Sequence, residues 1–258
     1  LLAALTFVLV LLFGAGLAQQ SVEAQERLTP ILMDRYEIAA DSAGPGEFRG
    51  GCGLNKGGTI TAIRSTVMSY CCDRARSVTW GMMGGQPSAP HGVTHTRGDE
   101  SRFLGAVFSN VPLEPGDRFD RPSAGGGGLF DPLKRDTARV LDDVIDGYVS
   151  IEGAARDYGV VVEAVDPELD DYRIDEAATA KLRGELRRGQ GGWLEEPADA
   201  VAARLRQGEI GMLEAIRRHG IICDWNDGTL LPRSTEQNRA AARMRAPASL
   251  RVSSASCS

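Results

Sequence analysis

Two glycine-rich runs gather the residues whose types and spacing could do chemistry. Asp41–Gly53 reads DSAGPGEFRGGCG and sets Arg49 among five glycines. A guanidinium held over exposed backbone suits a carboxylate, phosphate or carbonyl partner; pairing with Asp41, which would lock the turn, is the expected use. Ala124–Asp136 reads AGGGGLFDPLKRD. Its four consecutive glycines, Gly125, Gly126, Gly127 and Gly128, cannot lie inside a helix, because each loses the most backbone entropy on ordering. They suit positions where the backbone turns left-handed or passes very close to another group. Asp131, directly before Pro132, can hold the turn by accepting backbone N–H bonds. With Asp73 and Arg74, these residues form a candidate wall for a substrate or structural site, and for each a salt bridge or turn role is an equal expectation.

Other chemistries find little support. The tetraglycine lacks the Lys-Ser/Thr that completes a P-loop, so no ATP binding by this chain is expected. His91 and His95 are four apart in PHGVTH. On a helix they could form a ligand pair, but Pro90, Gly92 and Val93 place them in a loop or strand, and no metal site is assigned. No Ser-His-Asp or Cys-His set has a usable spacing. A net charge of −6 with scattered Lys and Arg, and 6% aromatic residues, argues against nucleic acid as a partner. Five cysteines, two of them adjacent at Cys71-Cys72, make no disulfide framework. Cys52 and Cys223 are expected as buried free thiols.

The elements that must position these residues divide at the tetraglycine. Upstream, Pro30–Ala39, Thr59–Ser69, Val78–Trp80 and Phe103–Val111 read as strands, with a Pro-Gly turn at Leu113–Asp117. Downstream, Asp136 is expected to cap a helix over Thr137–Asp146, Ser150 a helix ending at Gly159, and Asp175 a helix over Glu176–Arg188. A buried strand is expected at Val160–Val162, a further helix at Glu209–Arg218 and a strand at Ile221–Cys223. DYGVVVE and RHGIICD thus echo one helix–Gly–strand unit. The fold class is α+β: an antiparallel β-rich half, sandwich or barrel-like, then a helical half with short strands. The expected divisions are 1–20 as an apolar leader or spurious start, 21–133 as the β-rich half, 134–245 as the helical half and 246–258 as a disordered tail.

Leu1–Ala18 is almost wholly apolar and a little short of the ~20 residues a membrane span needs. A clipped signal peptide, a helix of a larger parent and a spurious start all stay open. A cytoplasmic location is expected, with secretion or a membrane contact following only if this run is a real signal or anchor.

The motifs YEIAADSAGPGEFRGGCG, Asp73-Arg74, WGMMGG, Gly116-Asp117, GGGGLFDPLKRD, DDVIDGYVS and AARDYGVVV occur here in that order. Together they resemble the C-terminal part of hydantoinase B/5-oxoprolinase family proteins, over about Ser21 to Arg245, with Leu1–Gln20 matching nothing expected there. KGGTIT, STVMSY and DWNDGTLLPRSTEQNR are similar to the acetone/acetophenone carboxylase branch. The resemblance implies a small-molecule substrate, either a cyclic amide that is hydrolysed, such as hydantoin or 5-oxoproline, or a ketone that is carboxylated. It implies a hydantoinase A-like partner subunit that hydrolyses ATP with Mg and phosphorylates a carbonyl or enol oxygen, which is otherwise a poor leaving group. It places a divalent metal in an N-terminal half that this sequence does not include, so the chain alone is expected to be inactive and to bind no cofactor. A non-catalytic scaffold or assembly module is the alternative.

Overall fold

The computed structural model describes residues 21–64, 66–72, 75–189, 196–224 and 226–245. Asp73, Arg74, the run 1–20 and the tail 246–258 therefore lie outside the described residues.

A short helix, α1 (Val22–Leu28), is N-capped by Ser21, whose side chain accepts from the Ala24 N–H. It leads into β1 (Ile31–Ile38). Strands β1, β2 (Leu54–Ile60), β7 (Arg118–Pro122), β4 (Val93–Arg97) and β5 (Glu100–Gly105) lie side by side in that order, antiparallel throughout. A separate antiparallel ribbon pairs β3 (Thr66–Cys71) with β6 (Val107–Leu113). Ile60, Val93, Leu113 and Phe119 are buried, and Met68, Tyr70, Phe108 and Val111 of the ribbon pack against them. The expected antiparallel β architecture is thus present as a sheet covered by a ribbon. Among the described residues β1 and β5 form the edges of the sheet, and no pairing joins them into a barrel.

Two expected strands turn out to be pairs. Thr59–Ser69 spans the end of β2 and the start of β3, because the chain leaves the sheet after Ile60, where the Thr61 N–H turns back to the Pro30 carbonyl at 2.9 Å. Phe103–Val111 breaks at Gly105, whose φ of +83° redirects the chain from the sheet into the ribbon. Val78–Trp80 is not a strand. Val78 is instead buried against Ile216 and Ile222, far along the sequence.

Downstream the caps fall where the sequence places them. Asp136 accepts from the Ala138 N–H at the start of α2 (Thr137–Ile145). Ser150 accepts from the Gly153 N–H at the start of α3 (Ile151–Tyr158). The Asp175 carboxylate accepts from the Ala178 N–H at 2.9 Å, opening α4 (Glu176–Gly189). Val160 is fully buried, but the strand begins only at Val162, where β8 (Val162–Asp166) pairs with β9 (Asp171–Ile174). Val140, Val144, Val149, Ala154 and Tyr158 complete that core.

The expected Glu209–Arg218 helix is shorter, α6 (Met212–Arg218), and follows α5 (Ala198–Arg206), which has no sequence counterpart above. Ile221–Cys223 forms only an isolated bridge to Leu230 before α7 (Pro232–Arg245). The echo nonetheless holds at the backbone. Gly159 and Gly220 both sit left-handed, at φ +63° and +66°. The next N–H reaches six residues back each time, Val160 to Ala154 at 3.0 Å and Ile221 to Ala215 at 3.1 Å. A left-handed glycine at the helix exit lets the chain fold back in this way.

Candidate functional site

The tetraglycine lies between two other glycine-rich segments, 44–51 and 81–86, and backbone bonds tie the three together. The Gly126 carbonyl accepts from the Gly44 N–H at 2.7 Å, and the Gly126 N–H donates to the Gly51 carbonyl at 2.9 Å. On the other side, the Gly128 N–H donates to the Gln86 carbonyl at 3.0 Å, and the Gly128 carbonyl accepts from the Met82 N–H at 2.8 Å. Segments 44–51 and 81–86 meet each other through the Gln86 N–H and the Pro45 carbonyl, 2.7 Å apart.

Close approach, and not a left-handed backbone, accounts for the glycines, since none of the four has positive φ. A Cβ at Gly127 would run into the Trp80 carbonyl, and one at Gly128 into the Pro45 carbonyl. At Gly125 it would lie 2.5 Å from the Ser42 carbonyl oxygen. Gly126 is the most tolerant, with the Gly51 nitrogen 3.3 Å away. Downstream, Asp131 accepts from the Leu133 N–H at 2.9 Å and so caps a 3₁₀ turn over Pro132–Lys134.

Charged side chains clamp this glycine assembly to the helices. Arg49 does not pair with Asp41. Its Nε lies 3.1 Å from Asp143 Oδ1 on α2, its guanidinium stacks 4.8 Å over the Tyr148 ring, and one nitrogen donates to the Gly50 carbonyl. The other Asp143 oxygen takes Arg135 at 2.8 Å. Asp41 is engaged elsewhere: its carboxylate accepts from the Ser150 N–H at 3.0 Å and hydroxyl at 2.7 Å, at the N-terminus of α3. There the helix dipole and free N–H groups favour a carboxylate over a distant guanidinium. The backbone of Asp41 is left-handed, at φ +57°.

Beneath Asp41, Arg217 of α6 is buried and donates four ways. It reaches Asp157 at 2.6 Å and the carbonyls of Asp41, Ala43 and Pro87 at 2.7, 2.8 and 3.3 Å. The structure therefore gathers Asp41, Arg49 and the glycines into one junction, with Asp131 capping its exit. It also adds Asp143, Arg135, Asp157 and Arg217, none of which stands out in the sequence. Arg217 belongs to an ordinary RRH helix end, and only the fold shows it to be internal.

The histidines go to separate partners. His95 Nε2 lies 2.8 Å from Asp117 Oδ2, and Arg97 grips the same buried carboxylate at 2.7 Å. His91 Nε2 is 3.7 Å from Cys72 Sγ. Among the described residues no group of three or more His, Cys, Asp or Glu side chains could hold a metal ion. Cys52 is half-buried and Cys223 buried, and both are free thiols. Burial pushes the Cys223 thiol up to about 11, so it is inert as a nucleophile near neutral pH.

Asp117 is held well below the usual carboxylate range, first by the Arg97 hydrogen bonds and further by the Glu114 N–H and His95, against the opposing effect of burial. A depressed carboxyl stabilises the fold above its ordinary value of 3.8 and loses that contribution as pH falls through the native value. Urea midpoints of the wild type should therefore fall more steeply below pH ~4 than those of Asp117→Asn, which has no such proton to take up. Parallel acid profiles would refute this.

A cleft opens between the sheet and the β3–β6 ribbon, with a volume of about 590 Å³. Lys56 and Arg121 line it among apolar walls that include Met33, Met68 and Phe119. It is separate from the glycine junction and involves none of the residues predicted for the site.

With that geometry in place, similarity to known proteins becomes informative. Residues 10–132 match the family model of hydantoinase B/oxoprolinase. Over this span the chain is similar to that family. The match opens ahead of Ser21, so residues 10–20, expected to match nothing, fall within the family pattern.

The β subunit of caprolactamase from Pseudomonas jessenii is 35% identical over 173 residues, covering 65% of this chain and 28% of that protein. The B-type subunit of a putative D-/L-hydantoinase from Pseudomonas sp. (strain NS671) is 29% identical over 172 residues, 66% of this chain and 28% of that protein. The acetone carboxylase α subunit of Xanthobacter autotrophicus is 27% identical over 201 residues, 65% and 26%. The chain thus spans little more than a quarter of the relatives it matches. Among solved structures, nucleotide-free acetone carboxylase shares the fold at a TM-score of 0.60 and 22% identity, over 90% of this chain and 34% of that one. The ATP-dependent caprolactamase of P. jessenii gives a TM-score of 0.53 at 29% identity, over 64% of this chain and 28% of that one.

No helix among the described residues is long and apolar enough to cross a membrane.

Proposed function

We propose that this chain works as part of a hydantoinase B-like subunit in an ATP-dependent enzyme that opens a cyclic amide. The observation that carries the reading is its 35% identity to the caprolactamase β subunit. Ketone carboxylation is the second reading, supported by the 27% identity to the acetone carboxylase α subunit. In either case ATP and Mg are held by a hydantoinase A-like partner, which phosphorylates the substrate oxygen. The described residues offer no donor set for the divalent metal that the family resemblance implies.

What this chain contributes in that reading is a rigid frame. Its charged candidate groups are satisfied by fixed protein partners: Arg49 by Asp143, Asp41 by the α3 N-terminus, Asp131 by its own turn. Groups so engaged position backbone and do not attack substrate. The same observation favours the assembly-module alternative for this part of the protein. A docking role for the frame is supported by Phe48, Trp80, Met82 and Met83, which are 47–67% exposed on the glycine segments and the residues flanking them. Exposed apolar groups in such a concentration are a common mark of a protein interface.

The test is reconstitution with a hydantoinase A-like subunit. Alone, the chain should show no saturable ATP binding in calorimetry. In the reassembled enzyme, ADP release should depend on a lactam, hydantoin or 5-oxoproline. Micromolar ATP binding by the chain alone would overturn the division of labour. ADP release driven only by a ketone with bicarbonate would establish the second reading in its place.

A further inference from the structure

Side chains cover most of the two edges of the five-stranded sheet. On β5 the Asn226 carboxamide takes the place of a neighbouring strand. Its oxygen accepts from the Phe103 N–H at 3.1 Å, and its nitrogen donates to the Phe103 carbonyl at 3.4 Å. On the first half of β1, Glu26 of α1 accepts from the Met33 N–H at 2.9 Å, and the Thr29 carbonyl accepts from the Ile31 N–H at 2.8 Å. Such cover matters because an open sheet edge is a template for another strand. The second half of β1 lacks it.

Register shows which groups stand open there. The Ala39 N–H donates to the Gly53 carbonyl at 2.9 Å, and Glu37 opposite Asn55 and Arg35 opposite Gly57 continue that register. Antiparallel bonding alternates along a strand, so Arg35 and Glu37 bond inward to β2, while the backbone groups of Tyr36 and Ile38 point outward. Among the described residues nothing meets those outward groups. Side chains alternate as well. Tyr36 and Ile38, 38% and 43% exposed, lie on one face, and Arg35 and Glu37 on the other.

The order of charges selects a partner for this edge. When a second β1 runs antiparallel with Tyr36 opposite Tyr36, each Arg35 falls opposite the Glu37 of the other copy. Sliding by two residues, to the next register that aligns the outward groups, sets Glu37 against Glu37 or Arg35 against Arg35. Opposite charges across strands stabilise a pair, and like charges directly opposite destabilise it. Within one chain Arg35 lies 3.4 Å from Glu37 and 3.2 Å from Asp120, with the three side chains 44–59% exposed. Exposed contacts of this kind contribute little and are easily exchanged.

We propose that two copies of this chain pair through the Tyr36–Ile38 edge, joining their sheets about a two-fold axis at Tyr36. Each copy uses its open edge in the contact, and Asn226 caps β5, so the assembly closes at two. The pairing does not depend on the glycine junction or on which reaction the assembled enzyme performs.

Sedimentation velocity of the full chain across a series of concentrations reads the monomer–dimer equilibrium. A dimer is expected, with no larger species. Arg35→Glu and Glu37→Arg each set like charges opposite one another at both symmetric positions, and each should weaken the dimer at least about tenfold. The double variant Arg35→Glu/Glu37→Arg restores opposite charges and should recover the wild-type affinity. Arg102→Glu, exposed on the capped edge β5, should leave it unchanged. Circular dichroism melts establish that the variants are folded, and if one single variant is not, the other decides. A monomer at every concentration, full-strength association in a folded single variant, a double variant that stays weakened, or a dimer lost through Arg102→Glu would each overturn the proposal.

Discussion

Gly127→Ala should destabilise the fold by about 1–3 kcal/mol, the usual range for forcing added carbon into closed packing. The new Cβ would meet the Trp80 carbonyl, its carbon and the Gly81 nitrogen, all backbone atoms with no rotamer to yield. Relief would require segment 81–86 to move. That would strain the bonds from Met82 to Gly128 and from Gly128 to Gln86. Gly126→Ala is the internal control. Its nearest neighbour is at 3.3 Å and its φ is not positive. Ala there should lie within about 1 kcal/mol of wild type, with reduced unfolded-chain entropy offsetting the slight crowding. Urea unfolding of the two single variants reads the difference. Equal midpoints would mean that the segments are not held at these distances and that the glycines serve only as a linker.

Removing the Arg217 guanidinium should cost about 3–5 kcal/mol, the magnitude for breaking a buried ion pair from one side. Arg217→Met leaves Asp157 with Arg156 at 2.6 Å but strips the carbonyls of Asp41, Ala43 and Pro87 of a donor. Buried carbonyls that lose their partner keep the full desolvation penalty. For that reason Arg217→Met/Asp157→Leu should not recover stability, as a simple buried pair replaced by apolar groups often does. Arg217→Lys should rescue only part, because a single ammonium cannot span the carboxylate and three carbonyls that the planar fork reaches. Thermal melts of the three variants test this. A stable double variant would show that the carbonyl contacts carry no weight and that Arg217 acts only through Asp157.

Both effects rest on residues of very different visibility in the sequence. Local rules suffice for the helix starts: Asp136, Ser150 and Asp175 each accept from an N–H two or three residues on, a bond made within the same turn. They suffice for Gly159 and Gly220, where only the residue at the helix exit must turn left-handed. They suffice for Asp131, whose partner Leu133 is two residues away. The tetraglycine is legible too, as a place where backbone must pass close, because no other property of glycine explains four in a row. Its neighbours are not legible, since they come from segments some 40 and 80 residues upstream, and nothing in AGGGG names them.

Long-range pairing decided the rest. Arg49 stands eight residues from Asp41 and reaches instead to Asp143, 94 positions away, because the N-terminus of α3 supplies Asp41 with better-aligned donors. Strand boundaries at Ile60 and Gly105 were invisible because β-propensity runs through both breaks, while the choice of sheet depends on which partner strand is near. Lys56 and Arg121 lie 65 positions apart in polar-looking stretches, and only the β2–β7 register places them together under an apolar roof. The sequence by itself determined the caps, the glycine punctuation, the α+β composition and the family resemblance, all of which are properties of short windows or of ordered motifs. The tertiary structure alone decided which charges are buried, which segments the glycines pack against and where a cleft opens. Those depend on contacts between residues distant in the chain, whose free energy no local window contains.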